Sequence, residues 1–242
     1  HQVTNSVGNT VIYDHDEFDW SGDDFETPPF NDMVIYEAHV GSFNESGIQD
    51  GDFDSVADKL GYLKKLGVNV LQLMPVAEFA GDRSWGYNPA HIFAVESAYG
   101  GPDALKRLVK RAHGMGIAVI MDVVYNHFGP SDLDLWQFDG WSENDKGGIY
   151  FYNDDRSNTP WGDTRPDYGR GEVRQFIFDN AQMWLRDYHV DGLRYDMTAY
   201  IRSVDASGWE LDSGWSLLQW MNGVLRDEFP GKILIAEDLH SY

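Results

Sequence analysis

The chain has 242 residues, 42% of them apolar and none of them cysteine, so it can bury a sizeable core but cannot build a disulfide framework or a thiolate metal site. Its 40 acidic and 18 basic residues give a net charge of −22, which removes the basic footprint that nucleic-acid binding requires and leaves neutral ligands such as sugars open. No run of about 18 apolar residues occurs, so no membrane span is expected; the acidity reads as a solvated surface, with adaptation to high salt as the sharper alternative.

The opening HQVTNSVGN has neither a basic n-region nor an apolar h-region, so no signal peptide is visible and a cytoplasmic location is expected. The absence of an initiating Met reads as a processed start. Residues 1–32 are polar, acidic and turn-rich, ending in Thr27-Pro28-Pro29-Phe30, and read as a linker or edge segment that packs on the main body. From residue 33 a rhythm sets in. MVIYEAHV (33–40) is a first apolar strand, and Val56, Leu60, Leu63 and Leu66 recur at helical spacing. VNVLQLMPV (68–76) is a second strand, stopped at Pro75; Leu105, Leu108, Val109 and Ala112 mark a helix; IAVIMDVV (117–124) is a third strand. Residues 128–171 are rich in aromatics and glycine without a period and read as an inserted loop. Phe176, Ile177, Ala181, Trp184, Leu185 and Tyr188 then give a helical face, VDGLRYDM (190–197) a fourth strand, Leu217, Leu218, Met221, Val224 and Leu225 another helix, and KILIAED (232–238) a fifth strand.

Strands alternating with helices imply an α/β fold with parallel strands and right-handed crossovers. The strand runs are almost continuously apolar, as both faces of such a sheet are covered. An open doubly wound sheet and a TIM (β/α)8-type barrel both fit. No Gly-rich phosphate loop follows the first strand, and polar residues gather where strands end: His39, Glu78, Asp122 with Asn126 and His127, Arg194 with Asp196, Glu237 with Asp238. These favour the barrel, whose active sites lie at that rim. Only strands one to five are present, so residues 33–242 read as a partial, truncated barrel with its insertion after strand three.

Asp196 and Glu237 end neighbouring strands. Parallel strands lie about 4.8 Å apart, so the two carboxylates are expected about 5–5.5 Å apart, the spacing for retaining glycoside chemistry. Arg194 points to the same face as Asp196 and is expected to keep it ionised as a nucleophile. Glu237 lies in the apolar run ILIAE, where an acid's pKa would be raised. The alternative is a buried Arg–Asp pair holding the barrel together, with Glu237 a plain strand-end carboxylate. Asp122, Asn126 and His127 read as a polar wall for sugar hydroxyls, with His127 donating to an oxygen, or as loop caps. A calcium site using Asn126 is a third option, and the missing D-x-D-x-D-G loop weighs against it. The aromatic content of 14%, with nine Trp, suits stacking on sugar faces and suits core packing equally.

DVVYNH (122–127), DGLRYD (191–196) and ILIAED (233–238) resemble three ordered signature segments of the alpha-amylase superfamily, glycoside hydrolase family thirteen, and WGYNP (85–89) resembles its segment after strand two. The stretch 11–43 is similar to the barrel entry of 1,4-alpha-glucan branching enzymes, while DVVYNHFGP (122–130) and TPWGD (159–163) are similar to maltooligosyltrehalose trehalohydrolases. The resemblance implies Asp196 as nucleophile, Glu237 as acid/base and Arg194 as the residue that orients Asp196. It further implies that His127 and Asp122 shape the scissile-sugar subsite and Tyr87 stacks there, with Trp85, Trp136, Trp141 and Trp161 as candidates for outer subsites. The expected partner is an alpha-glucan, no cofactor or metal is expected, and the activity is hydrolysis or transfer; a plain amylase is the alternative. A non-catalytic glucan-binding barrel is the reading from another class, against which the intact Arg194, Asp196 and Glu237 argue. The family also uses an Asp after strand seven, beyond this chain's last strand. The isolated chain is therefore expected to be inactive unless the remaining C-terminal part of the barrel joins it; robust turnover of soluble starch by this polypeptide alone would contradict that.

Overall fold

The computed structural model describes residues 2–45, 47 and 50–239. Residue 1 and residues 240–242, where the boundaries expected from sequence begin and end, lie outside the described residues. Two short strands, β1 (Gln2–Val3) and β2 (Thr10–Val11), pair antiparallel ahead of the main body. Then follow β3 (Ile35–Ala38), α1 (Val40–Phe43), α2 (Phe53–Ala57), α3 (Leu60–Leu66) and β4 (Val70–Leu73). A hairpin of β5 (Ala77–Phe79) and β6 (Pro89–Val95) precedes α4 (Gly101–Gly114) and β7 (Ala118–Val123). The chain continues through α5 (Gly171–Arg186), β8 (Gly192–Tyr195), α6 (Ala199–Arg202), α7 (Asp212–Glu228) and β9 (Ile233–Ala236).

Local chemistry sets several of these boundaries. Asp52 accepts from the Ser55 N–H while the Asp52 N–H donates to the Ser55 hydroxyl, a reciprocal cap that starts α2. Gly67, at φ 92°, ends α3 in the left-handed region that a Cβ would strain. Leu105, Leu108, Val109 and Ala112 of α4 are fully buried, so its apolar stripe packs inward as the spacing predicts.

Five strands form one parallel sheet in the order β3-β4-β7-β8-β9. Each new strand is laid outside the previous one with no reversal of order, whereas a doubly wound sheet reverses at a switch point. The ladders are shorter than the apolar runs that predict them: residues 33–40, 68–76, 117–124, 190–197 and 232–238 contain paired segments of four to six residues. The residues past each ladder break away to build the rim. One expectation is corrected here. Glu78 is not a rim residue of the main sheet but lies in the β5–β6 hairpin, buried, where it accepts from the Ser97 N–H at 2.8 Å and the Ser97 hydroxyl at 3.2 Å. The insert has no regular strands among its described residues and is tied by isolated bridges, Phe151 to Pro166 and Thr159 to Gly162.

Opposite the rim, at the foot of the sheet, the N-terminal segment meets the main body through a buried charge cluster. His113 of α4 sits between Asp23 (2.7 Å) and Asp191 (2.8 Å), both carboxylates almost fully buried. Asp23 also binds His189 at 2.8 Å, and Asp191 binds Lys232 at 3.1 Å and the Val119 N–H at 2.8 Å. Phe25 stacks on His113 and Trp20 on His189. Burial opposes the charge on His113, but the hydrogen bonds and fields of Asp191 and Asp23 outweigh it and raise its pKa. Burial likewise opposes charge on Asp191, and His113 and Lys232 outweigh that and lower its pKa. A raised histidine contributes stability fully present below about pH 6.5 and lost as pH climbs through the folded value; a depressed aspartate contributes stability present above about pH 4. H113Q is therefore expected to lose about 3–5 kcal/mol near pH 6, with a smaller loss at pH 9, checked by thermal unfolding at both values. A loss independent of pH would show that His113 acts only by packing.

Candidate active site

The strand register builds the site. Asp122 of β7 lies directly across from Arg194 of β8, and Tyr195 pairs with Ala236 of β9. One residue further, Asp196 donates its N–H to Val123 (3.0 Å) and Glu237 donates its N–H to Tyr195 (3.0 Å), so the two carboxylates stand side by side at matched height. Arg194 shares a face with Asp196 because two residues separate them along a strand. Its guanidinium reaches three carboxylates: Nη1 lies 2.7 Å from Asp122 and 3.1 Å from Asp196, and Nη2 lies 2.8 Å from Glu237.

Arg194 thus pairs with Asp196 as the strand spacing predicts, and with two further carboxylates besides. One positive charge serves three negative ones, so the site holds an excess of carboxylate. Burial pushes Asp122 up to about 7, with Asp196 adding to the push and Arg194 pulling back. Its Oδ2 takes the bonds from Arg194 and the Tyr87 hydroxyl, while its Oδ1 has no partner among the described residues. That free oxygen is the natural seat for a proton. Burial also raises Asp196 to about 6, against the pull of Asn126 and Arg194, which still leaves it mostly ionised at pH 7. The expected contrast in environments is reversed. Asp196 is the buried carboxylate, with a side chain 8% exposed, and Glu237 is 26% exposed, because β9 is the outermost strand of the sheet.

Asn126 and Asp122 lie beneath the cleft rather than on its wall. Asn126 is fully buried and donates to the Asp196 carboxylate at 2.7 Å and to its carbonyl at 2.9 Å. His127 places Nδ1 2.6 Å from the Asn126 side chain and Nε2 3.0 Å from the Asn88 side chain. Burial, and then the charge of Arg165, lower its pKa to about 4. A neutral ring has one N–H, and both ring nitrogens already face side-chain amides. A sugar oxygen would have to compete for the bond that sequence reasoning reserves for it.

The cleft above is about 460 Å³ and is lined by Trp85, Tyr87, His127, Trp161, Asp196 and Glu237, among others. That size suits a small-molecule subsite. Trp85 is 71% exposed at its edge, and Trp161 stacks on His127 with ring centroids 4.8 Å apart. Gly86 adopts φ 88°, and a Cβ there would meet the Pro75 carbonyl at 2.1 Å, so glycine is what lets the chain turn tightly and present Tyr87. Two contributors escape sequence reasoning. Asn88 stands inside WGYNP yet carries no signal of its partner. Met197, at φ 41°, adopts a left-handed conformation that aims its N–H at the Glu237 carboxylate, 2.9 Å away. No group of three or more side chains suited to a metal ion occurs among the described residues.

Comparison with known proteins gives a family. The profile of the alpha-amylase catalytic domain matches residues 34–159, just over half of the chain. A malto-oligosyltrehalose trehalohydrolase of Saccharolobus solfataricus is 41% identical over 74% of this chain and 30% of its own length. A 1,4-alpha-glucan branching enzyme of Pseudoalteromonas atlantica is 36% identical over 96% of this chain and 34% of its own. A solved structure provisionally named an alpha amylase, from Salmonella typhimurium, superposes with a TM-score of 0.80 at 32% identity, covering 98% of this chain and 37% of that one. The chain thus spans about a third of the length of these relatives, and its five-stranded parallel sheet is part of a TIM barrel.

Removing the shared cation tests the electrostatics. R194M leaves three carboxylates without their guanidinium and is expected to cost about 3–5 kcal/mol at pH 8. Carboxylates whose folded pKa is raised destabilise the fold as pH climbs through that value, and the loss of Arg194 raises them further. The melting-temperature gap between R194M and the parent chain should therefore be widest at pH 8 and narrow towards pH 5. A constant gap would disprove the shared-cation account.

Proposed function

We infer the function from kinship and geometry together: the chain belongs to the alpha-amylase catalytic-domain family, and it supplies the nucleophile and the acid/base of a retaining enzyme acting on alpha-glucans. The observation that carries this reading is the pair Asp196 and Glu237, at matched height on neighbouring strand ends and held on one guanidinium fork inside a sugar-sized cleft. Such close holding favours the retaining spacing of about 5–5.5 Å over the wider gap that admits a water molecule between carboxylates.

In the proposed reaction Asp196 attacks the anomeric carbon while Glu237 protonates the departing glycosidic oxygen. The bond from carbon to that oxygen breaks as the ester to Asp196 forms. Glu237, now ionised, takes a proton from an acceptor hydroxyl, whose oxygen attacks the same carbon and releases Asp196. Glu237 faces Arg194 and the Met197 N–H, and its partial exposure leaves room for it to turn to the leaving oxygen. Arg194 orients Asp196, Tyr87 stacks on the reacting sugar, and Trp85 and Trp161 flank it. Water as acceptor gives hydrolysis and a sugar hydroxyl gives transfer. Relatives carrying trehalohydrolase and branching-enzyme names both match, so the two outcomes share this half of the site. The strands that would complete the barrel would pair with β3 and β9, the outermost strands of the sheet.

Covalent trapping tests the assignment. The chain, complemented with a polypeptide supplying the remaining strands of an alpha-amylase barrel, is treated with a slow fluorinated glucosyl donor, digested and weighed. The added mass is expected on the peptide containing Asp196 and is expected to vanish in D196N. E237Q should cut turnover of glucans by about 10²–10⁴-fold, with partial recovery when azide accepts the glycosyl group from an activated donor. A label elsewhere, in a protein that turns the donor over, would overturn the assignment.

A further inference from the structure

We propose that Arg165 is a positioning residue that joins the Trp161 wall of the cleft to the segment descending from Asp196, and so sets how tightly an alpha-glucan is held; this rests on the reading of the cleft as a glucan site. The Arg165 side chain is fully buried and touches no carboxylate among the described residues. Its Nη1 donates to the Ser203 carbonyl at 3.1 Å, and its Nη2 donates to the carbonyls of Asn158 at 2.9 Å and Val204 at 2.7 Å. Its Nε has no partner among the described residues. A buried charge with no carboxylate in contact, only the more distant field of Asp205, is expensive, and an apolar side chain would fill the same space at lower cost. A role in holding the site gives that expense a reason.

The bonds go to two segments, one carrying Trp161 of the cleft and the other carrying Tyr200, which packs against Trp161. Asn158 immediately precedes the tight turn in which the Thr159 N–H bonds the Gly162 carbonyl at 2.9 Å, and Trp161 rides on that turn. Ser203 and Val204 follow α6, which carries Tyr200 and begins three residues after Asp196. The rings close the same joint from above: Tyr200 stands edge-on to Trp161 at 5.2 Å, and Trp161 lies on His127. Arg165 is therefore a planar fork gripping the Trp161 wall and the segment that follows Asp196 at once. Its charge acts there as well, because it helps burial to keep His127 neutral. A neutral His127 donates its single N–H to one of the two amide oxygens it faces and adds no second cation beside Arg194.

The test is a double-mutant cycle on this chain, read by calorimetric titration with maltoheptaose, with circular dichroism to confirm folding. R165M is expected to weaken binding about tenfold, as W161A does, and the double variant is expected to bind no worse than W161A alone, since both act through one wall. R165K keeps the charge but loses the fork and is expected to lose about threefold, a loss that a purely electrostatic role would not produce. A folded R165M that binds as the parent does, or losses that add in the double variant, would overturn the proposal. Should R165M not fold, R165K decides, and binding at parental strength overturns it. If neither the parent chain nor the parent complemented with the remaining barrel strands binds maltoheptaose, the reading of the cleft falls and takes the proposal with it; where either form binds and its Arg165 variants are silent, only the proposal falls.

Discussion

One guanidinium holds three carboxylates, and the upper rim of the sheet is arranged around that constraint. Asp122, Asp196 and Glu237 come from three consecutive strands of the sheet, and Arg194 occupies the middle one. A lysine could not do this, because its single ammonium lacks the planar fork that presents separate N–H groups to separate partners. The cluster is an unfavourable thing to bury, since desolvation of ions rivals their attraction. Its strain is visible in Asp122 and Asp196, both pushed above the ordinary carboxylate range. Carboxylates shifted together beside an open cleft are where a functional site is to be sought.

The surrounding layers follow from that cluster. Asn126 gives Asp196 two hydrogen bonds without adding charge. His127, kept neutral, buttresses Asn126 and offers its face to Trp161. Tyr87 donates to the oxygen of Asp122 that Arg194 also holds. Each device supplies hydrogen bonds where a further cation would neutralise Asp196 further.

Much of this was legible in the chain. The five strands and their parallel order follow from apolar runs alternating with helical spacing, and the rim residues follow from the polar positions where those runs end. The β5–β6 hairpin was not, because PAHIFAV opens with a proline and follows a turn-rich stretch that hides its alternation. The environments of the two carboxylates were inverted for a related reason. ILIAE looks apolar along the chain, but β9 is covered on one side only, while the polar DGLRYD belongs to an interior strand. A residue's surroundings depend on which strand lies next to it, and that is a property of topology. The partners of Arg194, the left-handed turn at Met197 and the grip of Arg165 are contacts between distant segments, and no local pattern encodes them.

The two ends of strands β7 and β8 use similar ingredients in opposite proportion. At the foot, two imidazoles and an ammonium surround Asp23 and Asp191, and the Asp191 carboxylate is held below its ordinary range. At the rim, one guanidinium meets three carboxylates, and two of them are held above it. In a chain of net charge −22 cations are scarce, so their distribution is informative. The foot is where a barrel invests in stability and the rim is where it carries out chemistry. For the proposed reaction the imbalance at the rim has a direct use. An oxocarbenium-like transition state gathers positive charge at the sugar ring, and a preorganised excess of carboxylate stabilises that charge more than it stabilises the neutral sugar that enters. The unfavourable electrostatics of the cleft and its fitness for a developing cation are then the same property.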